Sequence, residues 1–419
     1  MVSGLRWKLI YYILCEGEMN KSLIIRSIII AGVASAAPGV MATSNGFDAR
    51  QSAMGGVGVA SAKFGAAPLI NPALLAKSSP GEKISLIAPA LGAQASDSGH
   101  LIDSFDEVKS AWDELENTIG TSDVQAAAGN LEKVVSDITG KHAGVNLSLA
   151  MVLAVPNESV PVALMMNTWG QGIAHAMVNQ SDLDYLEGIS NGSIIPDKDD
   201  LDNLTSRAEG MAALITEYGV SLANSFKVGN VPVGVGVTPK IQRIETWNYN
   251  VAINNYESSD LRDGNWQRQT LSANIDTGLY ADLSPSWTVA LSAQNLFENR
   301  VKSREVNGTQ TAFVIRPQVA AGTAWVNGPI TFSTDIDLTP VSGFETVDKR
   351  QYAAVGAELS AASWAEVRAG YRVDMRGNDH SVFTAGLGLS PTDSVQFDLA
   401  AMAGRMRTIG GVAQFTFYF

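Results

Sequence analysis

Between residues 145 and 155 the chain alternates without a break. Val145, Leu147, Leu149, Met151, Leu153 and Val155 fall on one face, and Asn146, Ser148, Ala150, Val152 and Ala154 on the other. A period of two marks a β-strand whose faces meet different surroundings. The rhythm recurs over residues 271–281, where Asn274 and Asp276 oppose Leu271, Ile275 and Leu279. It returns over residues 330–338, with Thr331, Ser333, Asp335 and Asp337 on the second face, and over 367–373, with Arg368, Gly370 and Arg372. These segments are close to the ~9–11 residues that cross a bilayer at a tilt.

Followed along the chain, the pattern predicts strands at 83–94, 143–156, 160–178, 211–228, 231–253, 268–283, 286–299, 313–327, 329–339, 350–361, 364–374, 380–390, 394–404 and 408–419. That number is even, as closure of an antiparallel bacterial barrel requires. Tight connections such as Gly229-Asn230, Ser284-Pro285 and Asn327-Gly328 alternate with longer polar ones. Short periplasmic turns and long external loops have this asymmetry. The chain ends Gln414-Phe415-Thr416-Phe417-Tyr418-Phe419, an aromatic strand suited to the barrel assembly machinery. Unpaired backbone groups in hydrocarbon cost several kcal/mol each, so such a strand must be paired on both edges. The expected fold is therefore all-β, a transmembrane antiparallel β-barrel of about 14 strands over residues 81–419.

Two external connections, at about 95–142 and 179–210, are far longer than the rest. In the first, Leu101, Phe105, Val108, Trp112, Leu115 and Ile119 keep a helical rhythm behind a capping box at Ser104 and Glu107. Val124, Ala128, Leu131, Val135 and Ile138 follow, opened by Ser122 and Gln125. Together they predict an antiparallel helical hairpin on the outer side of the barrel, whose apolar faces either pack against each other and close the barrel mouth or form a lid or capture surface for a ligand. The second insertion reads as partly helical through Leu201, Leu204 and Ala208. Residues 43–80, with the run Ala53-Met54-Gly55-Gly56-Val57-Gly58-Val59-Ala60, are small enough for a crowded interior and are expected to form a hatch in the lumen.

Composition agrees with a barrel. Charged residues are 17% against 46% hydrophobic, below the ~25% charged of an average soluble domain, and no long apolar run follows the amino terminus. The net charge of -13 disfavours nucleic acid as a partner. From Met19 the order is Lys21 and Arg26, an apolar stretch over 28–37, and Val40-Met41-Ala42. This is a signal peptide with cleavage expected near Ala42, and Met19 rather than Met1 is the expected start. The expected location is the outer membrane of a Gram-negative bacterium, among its lipid and lipopolysaccharide. Cys15 is the only cysteine and lies in the segment to be removed, so neither a disulfide nor a thiolate site is expected. His100, His142, His175 and His380 lack metal-ligand spacing, and no nucleophile elbow is present. No metal, no cofactor and no enzyme activity are expected. The acidic run Asp197, Asp199, Asp200 and Asp202 reads as a solvated face. By parity the lumen receives Lys240, Asp276, Arg316, Asp335, Asp337, Glu358, Arg368 and Arg372, expected to pair and stiffen the wall.

Asn71-Pro72-Ala73, placed between the small-residue segment and the first strand, resembles the hatch of the FadL-type outer-membrane transporters of hydrophobic compounds. More closely, Asp48-Ala49-Arg50, residues 53–60, Asn71-Pro72-Ala73-Leu74-Leu75-Ala76, Ala293-Gln294-Asn295-Leu296-Phe297, Arg316-Pro317-Gln318 and Arg368-Ala369-Gly370-Tyr371-Arg372 are similar to the conjugal transfer TraF-like branch, distinct from the thioredoxin-like factor of the same name. The resemblance implies that Asn71, Pro72 and Ala73 are hatch elements. It also implies that the hatch moves to let a hydrophobic ligand leave the lumen sideways. The alternative is a structural or interaction protein of the envelope, tied to conjugal transfer.

Overall fold

The computed structural model describes residues 48–78, 81–97, 100–201, 203–252, 266–379, 381–404 and 408–419. The signal segment through Ala42 with Cys15 and Met19, residues 43–47, Asp202 and His380 lie outside the described residues. Strands in chain order are β1 (Ser85–Asp97), β2 (His142–Val155), β3 (Val162–Met177), β4 (Arg207–Val228), β5 (Val231–Ala252), β6 (Gln267–Ser284), β7 (Trp287–Gln294), β8 (Asn299–Lys302) and β9 (Ala312–Ile315). They continue with β10 (Gln318–Asn327), β11 (Ile330–Asp337), β12 (Gly343–Phe344), β13 (Tyr352–Ala362), β14 (Ala365–Asp374), β15 (Val382–Thr392), β16 (Val395–Gly404) and β17 (Ile409–Tyr418). Fourteen of them close an antiparallel barrel, sealed where β1 pairs with β17 from Ser85↔Tyr418 to Ala95↔Ile409. The outer face presents the alternating apolar set, including Leu164, Tyr218, Ile241, Leu279, Phe332, Val355, Phe383 and Phe415.

β8, β9 and β12 leave the barrel and form a separate three-stranded sheet. The expected strands 286–299 and 313–327 are therefore each broken. The first stops at Gln294, where Asn295 adopts a left-handed backbone at φ 53°. The second is interrupted at Arg316-Pro317, because proline has no N–H to give a central ladder. Arg316 is consequently not a lumen-facing strand residue. Its backbone N–H donates to Ser342 Oγ at 3.0 Å and its guanidinium to the Val341 carbonyl at 3.3 Å, which ties it to the segment leading into the small sheet.

β4 and β5 run for 22 residues each, longer than a bilayer crossing needs. Their loop-end extensions are covered on both sides. Registers across β2 to β5 are unbroken, so alternate residues face opposite ways throughout. Trp169, Met211, Ala213, Ile215 and Ile244 face inward and carry Val301, Phe313, Ile315 and Phe344 of the small sheet. Ala143, Ala176, Ala208, Tyr249 and Val251 face outward and carry the helices. The hairpin of Leu101–Thr118 and Val124–Ile138, with the helix Gln180–Ser190, thus packs on the outside of the wall instead of closing the mouth as its apolar faces had suggested. The expected caps also move. The first helix begins at Leu101, whose N–H donates to Asp97 Oδ1 at 2.8 Å, so Ser104 and Glu107 lie within it. The second is preceded by Asp123, with no side-chain cap from Ser122. Ala208 belongs to β4 and not to a helix.

Candidate functional site: the hatch and its seat in the lumen

Residues 48–78 fill the turn-end half of the lumen in two parts. In the first, Asp48 caps a short helix by accepting from the Gln51 N–H at 2.8 Å, and Ala49 N–H donates to Gln414 on the last strand at 3.2 Å. Arg50 then reaches the wall as a fork, with Nε to Glu358 Oε2 and Nη2 to Oε1 both at 2.8 Å, while Nη1 donates to the Ser61 carbonyl at 2.6 Å. Two parallel bonds fix direction as well as charge. The turn at Met54-Gly55 lies on Gly356 and Gly370, which stand opposite one another on β13 and β14. A Cβ at either position would meet the Met54 backbone, so only glycine lets the hatch chain come this close. Gly58 and Val59 donate their N–H groups to one oxygen of Asp335, at 2.6 and 2.9 Å.

The second part is apolar. Val59, Ala60, Ala67, Ile70, Leu74 and Leu75 form one buried cluster with Ile87, Ala150, Val152, Met165, Tyr280, Ala290 and Ala320 of the wall. Asn71 organises it, fully buried at 0% exposure. Its Oδ1 accepts from Ala73 N–H at 3.1 Å, capping the 3-10 turn Pro72–Lys77, and its Nδ2 donates to the Val59 carbonyl at 2.8 Å. Pro72 suits the first position of that turn, where no N–H is required. Asn71, Pro72 and Ala73 rest against Gly236 and Gly278. From β7, Ser292 Oγ donates to the Ile70 carbonyl at 2.6 Å and Gln294 Nε2 to the Leu69 carbonyl at 2.9 Å. Replacing Asn71 by alanine should cost about 1–2 kcal/mol, as for a lost cap, and speed amide exchange across residues 72–77. Hydrogen-exchange mass spectrometry checks this; unchanged exchange there would show that the side chain holds nothing.

The lumenal charges fall into three sets. Lys240 lies between Glu217 at 2.9 Å and Asp276 at 2.8 Å. Gln242 donates to Glu217 at 2.6 Å, and the Asn295 N–H donates to Asp276 at 2.7 Å. Arg368, fully buried, binds Glu358 at 2.7 Å, Asp398 at 2.6 Å and Glu366, and Glu366 also receives Lys63 of the hatch at 2.8 Å. Arg50, Lys63 and Arg368 thereby meet Glu358, Glu366 and Asp398 in one connected group. Asp337 accepts from the Tyr352 N–H at 2.8 Å, and Arg372 lies over the Tyr352 ring at 5.3 Å from its centroid. Sequence reasoning missed Glu217, which faces inward beside Lys240, and did not give Arg50 its partner. Both follow only from which strands are neighbours.

Above these charges the small sheet fills the mouth. Phe313 stands 6.0 Å from Trp169 and 5.0 Å from Phe344, ring to ring. Asn248 Nδ2 donates to the carbonyls of Arg304 and Thr309, each at 3.0 Å. On the exposed edge Arg300 grips Glu345 through two 2.5 Å bonds, and this pairing holds the Glu345 carboxyl below its usual range.

A closed fourteen-stranded barrel with its amino-terminal segment folded inside is a hatch-plugged membrane barrel. The chain belongs to the family described as "F plasmid transfer operon, TraF, protein", whose model matches residues 68–337. Among solved structures it resembles the Ralstonia pickettii toluene transporter TbuX, at 12% identity and a TM-score of 0.54 over 90% of this chain and 99% of that one. It also resembles a deletion variant of the TodX monoaromatic hydrocarbon channel, at 11% identity and a TM-score of 0.53 over 89% of this chain and 99% of that one. A Pseudomonas aeruginosa FadL homologue is similar at 11% identity and a TM-score of 0.43, over 92% and 99% of the two chains. At these identities, what TbuX and the TodX variant share with this chain is the fold. No curated protein sequence matches this chain.

Proposed function

We propose that the protein is an outer-membrane barrel that binds or passes a small hydrophobic molecule. The observation that carries this reading is the apolar seam between hatch and wall, from Val59 and Ile70 to Met165, Tyr280, Ala290 and Ala320. An apolar molecule moving between hatch and wall here would meet mainly apolar side chains, so little polar surface would have to be desolvated. The names of the two transporters support the class of cargo. In this reading the small sheet is the outer closure and the hatch the inner one. Cells carrying the barrel should take up radiolabelled toluene or a labelled long-chain fatty acid faster than barrel-free cells. Uptake equal to the control for both, with no apolar compound extracted from the purified protein, would sink the proposal.

A second reading is favoured by one observation, the ionic group that ties Arg50 and Lys63 to three wall carboxylates and the arginine among them. A hatch so held suits a closed scaffold that presents its external helices to an envelope partner, and the family match supports a link to conjugal transfer. Deletion should then lower mating frequency or envelope integrity while uptake stays unchanged. Normal mating and an intact envelope in the deletion strain would rule it out.

A further inference from the structure

The outward face of β6, β7, β10 and β11 carries a groove of about 500 Å3, within the ~300–1,000 Å3 of small-molecule sites. Strand register builds it in three levels. Nearest the short turns, Trp287, Trp325 and Phe332 stand side by side, the last two stacked with centroids 6.0 Å apart. The next level is Ala281, Val289, Thr323 and Thr334, and the one above it Leu279, Leu291, Ala321 and Ile336. Leu279, Leu291 and Ile336 are each at least 40% exposed, so the groove lies among residues that face away from the lumen. Trp287 Nε1 donates to Thr323 Oγ1 at 2.6 Å, which fixes the indole along the lower rim.

An aromatic row of this kind sits at the boundary between headgroups and hydrocarbon. The groove therefore opens just inside the hydrocarbon of the leaflet next to the short turns, which in an outer membrane is the phospholipid leaflet. Its outward polar groups are two hydroxyls: Thr323 Oγ1 already donates to the Thr288 carbonyl at 3.0 Å, while Thr334 suits an ester carbonyl, and no charged side chain faces outward among the lining residues. The wall is thin here, because Gly322 has no side chain and the hatch residue Val59 and Asp335 lie directly behind it.

We propose that this groove holds one acyl chain of a periplasmic-leaflet phospholipid, its ester region at Thr334 and its methylenes along Ala321, Leu279, Leu291 and Ile336. The bound chain covers the thin patch behind which the hatch is clasped. The inference does not rest on passage through the lumen and stands or falls separately from it.

The test is native mass spectrometry of the full barrel after repeated exchange into maltoside detergent. The wild-type protein should retain one phospholipid. Once stripped, it should regain one on addition of palmitoyl-oleoyl phosphatidylethanolamine. Ala321→Phe fills the groove floor and should lower retention at least about tenfold, a change equivalent to ~1.4 kcal/mol. Ala401→Phe, on the distant outward face of β16, should leave retention unchanged. If Ala321→Phe gives no heat-modifiable folded form, Ala281→Ile fills the same floor. A wild-type barrel that carries no phospholipid after exchange, or a folded groove variant that retains as much as wild type, overturns the proposal.

Discussion

Gly370→Val is expected to unseat the hatch while the barrel strands still pair. The new branched side chain would meet the Met54 carbonyl carbon and the Gly55 nitrogen, which are backbone atoms and cannot rotate away. Opposite it, Gly356 leaves no slack, since even a single added Cβ there would come within 2.3 Å of the Met54 carbonyl oxygen. Overpacking a core usually costs ~1–3 kcal/mol, and a collision with backbone should reach or exceed the top of that range. The neighbouring bonds then fail together, because Gly55 N–H to Thr384 Oγ1 at 2.8 Å and the two N–H groups on Asp335 require the same chain position. Proteolysis within residues 54–62 and ion conductance in planar bilayers should both rise well above wild type. A variant as resistant and as silent as wild type would mean that the hatch is held elsewhere.

Arg368→Met should produce the largest loss of stability of any single substitution in the lumen. It leaves Asp398 without its cation and strips Glu358 and Glu366 of one partner each, while Arg50 and Lys63 remain. Breaking a buried ion pair from one side costs ~3–5 kcal/mol, because the surviving charge stays desolvated. Urea unfolding of the purified barrel measures it. Asp398→Leu added to Arg368→Met should recover part of the loss, since removing both members of a buried pair is far cheaper than removing one. Arg300→Ala, whose ion pair with Glu345 is exposed, should leave the unfolding midpoint where it was. Equal effects of Arg368→Met and Arg300→Ala would mean that the buried group contributes nothing to stability.

Much of this architecture is legible before any coordinates. Alternation at residues 145–155 or 367–373 carries strand, face and hence lumen in a single pattern, which is why Lys240, Asp276, Asp335, Glu358 and Arg368 can be placed by parity. Two kinds of information are not in the pattern. One is pairing. Ala312–Ile315 reads as well for the barrel as for a separate sheet, and Lys240 does not name Glu217, because hydrogen-bonded neighbours come from register between distant segments. The other is side. The helical hairpin shows that it has an apolar face but not which surface of the wall receives it. Its first cap differs from the sequence pattern for a related reason, since Asp97, at the end of β1, supplies the bond that the pattern assigns to Ser104.

The covering of β2 to β5 on both faces gives the molecule a front and a back. On one quadrant the wall continues beyond the apolar band as a three-layer block, with sheet inside, strands between and helices outside. Across the ring, β13 to β17 are 10 or 11 residues long and, among the described residues, end without such cladding. A rigid body resting on the loop-end rim would therefore tilt away from the clad quadrant toward the low strands, so the uneven height of the wall sets an angle before any specific contact forms.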